Sequence, residues 1–266
     1  MTQLKKHVHI LKLLTKNYLS AQMEYQCSFF TYLIVESIVL LSKLMYVEVT
    51  YNLGVSINGI SSTELLLFNG TFFIISGIYG GFFMLSFSQF QGNVKSGNLD
   101  LLITKPVSLQ FMCSVSTIEF ATLIPNVATG IVLVVRSWKA LGLTVSIGNL
   151  LGYLYLVVIG TVIIYHLLFM PLLLSFRLIE TNSLMKITSA LSNFNMMPMH
   201  IYPKIIQRIG TFIFPIFIVT NFPSMFVLGL LNHWYLLWGS AAALLLALLC
   251  RFLWKRSLRY YSSAMS

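Results

Sequence analysis

Long apolar runs separated by short polar stretches set the pattern of this chain. Runs close to the roughly 20 residues needed to cross a bilayer fall at 27–47, 65–85, 110–135, 147–174 and 234–253. They are continuous and do not alternate, which predicts membrane helices and argues against a β-barrel. Between the fourth and last runs the pattern is ambiguous. Residues 180–202, "ETNSLMKITSALSNFNMMPMHIY", are moderately apolar. Residues 209–230, "IGTFIFPIFIVTNFPSMFVLGL", are greasier but carry Pro215 and Pro223, which break helical hydrogen bonds. If 209–230 is the fifth span, only 231–233 join it to the last. Alternatively 180–202 crosses inside the bundle, and 203–230 forms a broken, re-entrant pair of short helices. Such backbone is tolerated at membrane depth only when buried in protein or lining water. Both solutions give six spans and put the two termini on one side.

Ahead of the first span, residues 1–24 show a helical period. Leu4, Val8, Leu11, Leu14 and Tyr18 share one face, with Lys5, His9, Lys12 and Lys16 on the other side. This predicts a basic amphipathic helix lying in the inner headgroup layer. A solvated helix end is the alternative, and the span that follows directly favours the interfacial position. The segment lacks a clean apolar core followed by a small-residue cleavage site, so it does not read as a cleavable signal peptide.

Composition agrees. The chain of 266 residues is 57% hydrophobic and 9% charged, against about 25% charged in soluble domains. Mean hydropathy is +0.83. The expected class is an all-α polytopic membrane protein, a single transmembrane domain over 1–266. The formal charge of +10 does not point to nucleic acid, because no basic–aromatic patch accompanies it. It reports topology instead. With re-entrant 203–230, one side holds Lys5, Lys6, Lys12, Lys16, Lys95, Lys105, Arg177, Lys186, Arg251, Lys255, Arg256 and Arg259. The other holds only Arg136, Lys139, Lys204 and Arg208, while Lys43 lies within the first span. Basic residues gather on the cytoplasmic side, so both termini are expected there. Trp234 and Trp238 at one end of the last span, and Trp254 at the other, read as interfacial anchors.

Three intramembrane polar residues invite a functional reading: Glu36 in the first span, Glu119 in the third and His166 in the fourth. Such groups are expensive in a bilayer. They would line a substrate path or lock helices together, or pair locally, as Glu36 could with Lys43. Gly77, Gly80 and Gly81 in the second span permit close helix approach. Cys27, Cys113 and Cys250 have no metal-ligand spacing, and no metal site is expected. The chain lacks a phosphate-binding G-x-x-x-x-G-K-[ST] loop. An intramembrane enzyme stays open as an alternative, although no spacing marks a nucleophile and its base. So does a non-transport immunity or scaffold subunit.

One polar stretch stands apart. "NVKSGNLDLLITKPVSLQF", residues 93–111, connects the second and third spans. Its charges explain its side of the membrane but not its pattern. Gly97 marks a turn, Leu99, Leu101 and Leu102 are apolar in a wet loop, and Pro106 restricts Lys105 to extended or turn backbone. Either something docks there or the leucines dip into lipid.

This stretch resembles the cytoplasmic motif of one branch of the type-2 ATP-binding-cassette (ABC) permeases, matching at Gly97, Leu99, Asp100, Leu101, Leu102, Lys105, Pro106 and Val107. A second likeness is "NMMPMHIYPKIIQRIGTFIFPIFIVTNFPSMFVLG", carried by Pro198, Tyr202, Pro203, Pro215 and Pro223. The resemblance implies a six-span permease of an exporter in the plasma membrane, with the re-entrant element at 203–230. It implies that 93–107, with Lys95, couples the chain to a separate ATPase, present in two copies that bind ATP and Mg. The chain itself would hold no cofactor and would pair with a second permease, identical or homologous, in membrane lipid. It would carry a hydrophobic or amphipathic drug, peptide or lipid-like molecule. Many relatives have arginine where Lys105 stands, and lysine lacks the planar fork for bidentate contacts.

Overall fold

A computed structural model of the chain describes residues 3–54, 59–105, 107–178 and 182–261. In chain order its helices are α1 (Gln3–Glu24), α2 (Gln26–Asn52), α3 (Ser62–Tyr79), α4 (Leu85–Lys95), α5 (Leu99–Ile103), α6 (Leu109–Ser114), α7 (Phe120–Ala140) and α8 (Ile147–Leu172). Then come α9 (Asn182–Asn193), α10 (Lys204–Phe212), α11 (Ile216–Val227) and α12 (His233–Leu258). Polar residues placed just before the apolar runs start several of them. Ser61 and Glu64 form a reciprocal cap on α3, Ser146 accepts from the Asn149 N–H of α8, and Asn232 from the Trp234 N–H of α12. Each cap satisfies an amide that has no partner within its helix.

Among the described residues, five stretches are long and apolar enough to cross a membrane: Gln26–Val49, Ser62–Lys95, Phe120–Ala140, Ile147–Phe176 and His233–Leu258. The pair α10 and α11, bent by 98°, adds a sixth if taken as one broken span. The second stretch extends well past the expected 65–85, because a π-helical turn at Gly80–Met84 joins α3 to α4. The third departs from expectation. Residues 110–135 are not one helix: α6 ends at Ser114 and α7 begins at Phe120.

The break has a physical cause. Residues 114–119 read Ser-Val-Ser-Thr-Ile-Glu, and neighbouring elements take up the backbone groups that a helix would otherwise pair. The Glu119 N–H donates to Gly81 O at 2.8 Å, within the π-helical turn. The Thr117 N–H donates to Ser86 Oγ at 3.0 Å, and that hydroxyl lies 3.2 Å from Thr117 O. From α1, the Tyr18 hydroxyl donates to Ser116 O and Gln22 Nε2 to Ile118 O. Irregular backbone survives in an apolar setting only when partners of this kind take up its polar groups.

This use of α1 changes the expected face assignment. Its protein-facing stripe is His7, Leu11, Leu14, Tyr18 and Gln22, all half-buried. Val8 is exposed, as are Lys5, His9, Lys12 and Lys16. The break needs donors, so two polar residues sit in the packed stripe.

The densest packing joins α3 to α7, and α8 to α11. A Cβ on Gly130 would lie 2.7 Å from Gly70 O, and one on Gly81 would lie 2.6 Å from Leu123 Cβ. Gly77, Gly80 and Gly81 permit the close helix approach expected of them, and their partner is α7. In a membrane such small-residue contacts carry helix association, since lipid offers no hydrophobic drive between helices. Helix α11 lies along the first half of α8 in the opposite direction, with Phe226 against Gly152 and Val219 against Gly160. It is buried from Ile216 to Ser224. Its polar residues are satisfied inside: Ser224 meets Thr71 at 3.2 Å, Thr71 meets the Tyr153 hydroxyl at 3.0 Å, and Thr220 donates to Asn195 Oδ1 at 2.7 Å. At the other end of the bundle an aromatic cluster holds Phe90, Phe169, Phe176 and Trp254. Trp254 is therefore core and not the interfacial anchor its position implied, whereas Trp234 is largely exposed.

Candidate functional site

Residues 95–105 form an ordered projection at the end of α4. Lys95 is exposed in the last turn of that helix. Gly97 has φ of 74°, a left-handed conformation that only glycine adopts cheaply. The chain reverses there into α5, whose first turn is closed by the Asp100 N–H donating to Gly97 O at 3.1 Å. The projection is tied to the bundle at two points. Leu99 is fully buried in the main core, worth roughly 1.5–3 kcal/mol. Past the end of α12, the Tyr261 hydroxyl sits 3.1 Å from both Gly97 O and Asp100 Oδ1.

The predicted residues of this stretch therefore divide. Leu99 and half-buried Leu102 hold the element to its own chain. Leu101, 69% exposed, and Ile103, 52% exposed, present an apolar tip to the surroundings. Lys105 is exposed beyond it, and Pro106 lies outside the described residues. Ile103 was not among the sequence candidates. It sits in the same apolar run as Leu101 and Leu102, and only the fold shows which members point away.

The intramembrane candidates also divide. Glu36 of α2 is half-buried, and Asn126 Nδ2 of α7 donates to its Oε1 at 2.8 Å. Asn126 itself is buried and donates as well to Thr122 O at 2.9 Å. Glu119 caps the start of α7, where its backbone N–H donates to Gly81 O. Glu36 opens into a cleft of about 360 Å³ between α2, α3, α7, α8 and α9. Its lining includes Tyr32, Lys43, Ser76, Tyr79, Ser189, Ser192 and Asn193. Lys43, Phe72 and Met196 also line a second cleft of about 350 Å³, which continues past Asn69 and Leu65 to Pro198 and Ile201. Among the described residues Glu36 and Lys43 form no ion pair, so the local pairing considered from their spacing is absent.

His166 is elsewhere. Its Nδ1 lies 2.7 Å from Val162 O, and its ring borders a mostly apolar cavity of about 600 Å³ between α1, α6, α8 and the π-helical turn. The three acidic and basic candidates thus do not converge on one site. No group of metal-ligating residues occurs among the described residues.

The prolines of 203–230 mark its geometry. Pro203 and Pro215 precede the first residues of α10 and α11. Their fixed φ suits a helix start, and their missing N–H groups are no loss there. Pro223 lies inside α11 and leaves Val219 O without the usual helical donor. That carbonyl faces Gly160, where a Cβ would come within 2.5 Å. Before this pair, Thr188 lines a cleft with Leu168 and Leu172, and Pro198 and His200 line another with Ile60 and Leu230.

Residues 37–265 match a family model described as ABC-2 family transporter protein. No curated protein and no solved structure matched the chain.

Proposed function

Because the chain belongs to the ABC-2 family of transporter proteins, we propose that it is the transmembrane permease subunit of an ATP-binding-cassette exporter. Subunits of this family form the membrane part of a transporter and not its ATPase. In this reading two copies of a separate ATPase bind ATP and Mg, and a second permease, identical or homologous, completes the pathway. The termini and 93–107 face the cytoplasm of a cell membrane, as the distribution of basic residues supports, with α1 at the inner interface.

The observation that carries the reading is the projection at α5. Leu101 and Ile103 are exposed on an element that Leu99 and Tyr261 pin to the bundle. A loose loop would absorb a push from a docked ATPase, whereas a pinned one transmits it. The π-helical turn continues into α4, and α6 leads into the break before α7. Closure of the ATPase pair would therefore displace both helices that flank the cleft beside Glu36. Lys95 and Lys105 orient the docked partner.

The fifth crossing is assigned to 182–201, with α10 and α11 re-entrant. Two contact addresses support this. Pro198 and His200 of segment 182–201 line a pocket with Ile60, and Phe226 and Val219 of α11 meet α8 at Gly152 and Gly160, in its first half. A helix crossing in full would continue to the Leu172 end.

The test is replacement of Leu101→Ser together with Ile103→Ser, read by copurification of the ATPase and by transport. Both should fall sharply while the protein inserts normally, because neither side chain is in the core. Retained ATPase binding with normal transport would show that the tip is a lipid contact.

A further inference from the structure

The cleft beside Glu36 holds a second piece of information, which rests on the permease reading: the class of molecule it is built to receive. Two charged side chains line it, one acid and one base, Glu36 and Lys43. They are seven residues apart on α2, nearly two full turns, so they share a face and stand about 10 Å apart along the helix. Neither has an ion partner among the described residues. Among the described residues, Glu36 accepts a hydrogen bond from the neutral amide of Asn126. Glu36 is half-buried and Lys43 exposed, and the two, which could pair by bending toward each other, do not. Tyr32 and Tyr79 also line the cleft, and tyrosine ring faces attract an ammonium and pack against an apolar body.

We propose that the cleft receives an amphoteric substrate: a protonated amine at Glu36, an acidic group at Lys43 and an apolar body about 10 Å long between them. An extended peptide advances about 3.3–3.6 Å per residue, so a short apolar peptide with free termini has this charge spacing. The acid and base of α2 then each gain a partner only when substrate is bound. A molecule lacking either charge leaves one of them unpaired.

The experiment uses the full chain in phosphatidylcholine nanodiscs without ATPase, with empty nanodiscs as the blank. Equilibrium dialysis measures tritiated trileucine, its N-acetyl derivative and its C-terminal amide. Unmodified trileucine should bind saturably, and each cap should weaken binding about tenfold or more, as expected for the loss of one charge-assisted hydrogen bond. Glu36→Gln should erase the effect of acetylation and leave that of amidation, and Lys43→Gln should do the reverse. If the variants do not fold, the wild-type comparison of the three peptides decides alone. Equal binding of all three, or no saturable binding above the blank, overturns the proposal. ATPase capture through Leu101 and Ile103 is measured separately. Failure of peptide binding with capture intact removes the substrate class and leaves the permease reading standing, whereas saturable peptide binding without ATPase capture removes the permease reading and leaves only a peptide-binding cleft.

Discussion

Helices α2 and α11 are both strongly apolar, yet they have opposite positions in the molecule. Helix α2 is long and carries no proline, but only 11% of its spanning window is buried. Helix α11 has 12 residues and an internal proline, and it is almost wholly enclosed by α3, α8 and α12. The uninterrupted helix is peripheral and the broken one is central. The reason is that lipid and protein interior are equally apolar. A clean helix satisfies its own backbone and tolerates lipid on most sides. A helix interrupted by Pro223 cannot, so it needs neighbours that accept its odd carbonyl, as Gly160 does. Packing is dense where the backbone is irregular. It is sparse along α2, where the cleft opens.

The largest expected effect comes from filling the contact that lets α11 sit inside. Gly160→Leu places a side chain where a Cβ alone would be 2.5 Å from Val219 O. Overpacking between two backbones costs about 3 kcal/mol or more. Thermal unfolding in detergent should show a large drop or no folded protein. A near-normal midpoint would mean that α11 is free to move away, and the contrast with α2 would collapse.

A smaller effect is expected from Asn126→Leu, which removes the donor that holds Glu36 to α7. The loss should be about 1–2 kcal/mol, and α2 should loosen more than the rest. Hydrogen exchange is the sharper readout, because local openings are resolved element by element. Amides of α2 should exchange faster in the variant while those of α11 keep their protection. Uniform acceleration across both helices would show that α2 is part of one cooperative unit with the core.

The smallest effect belongs to the far end of α2. There Arg136 makes two hydrogen bonds to Glu48, at 2.8 and 3.0 Å, and lies over the Tyr51 ring. Both charged side chains are 43% exposed, so water and salt screen the pair. Arg136→Gln should cost roughly 0–1 kcal/mol of stability. High salt should erase the difference between variant and parent. An effect as large as that of Asn126→Leu would make this pair the main clamp on α2.

The sequence by itself determined the class of the protein, its apolar helices and the polar stretch at 93–111. These follow from composition and period alone: a long, continuous apolar run that does not alternate satisfies its backbone in a bilayer as a helix. It also located Glu36, and the glycines at which α3 meets α7. Only the tertiary structure decided the break at 115–119, because its stability depends on donors that arrive from Tyr18, Gln22 and Ser86, remote in sequence. It also decided that Trp254 is core, that Leu99 is an anchor and Ile103 a tip, and that Glu36 and His166 open into different cavities. Periodicity ranks residues by their chance of being covered, but it cannot say by what. In a chain this apolar, lipid and core leave the same mark on the sequence, and the long-range contacts alone tell them apart.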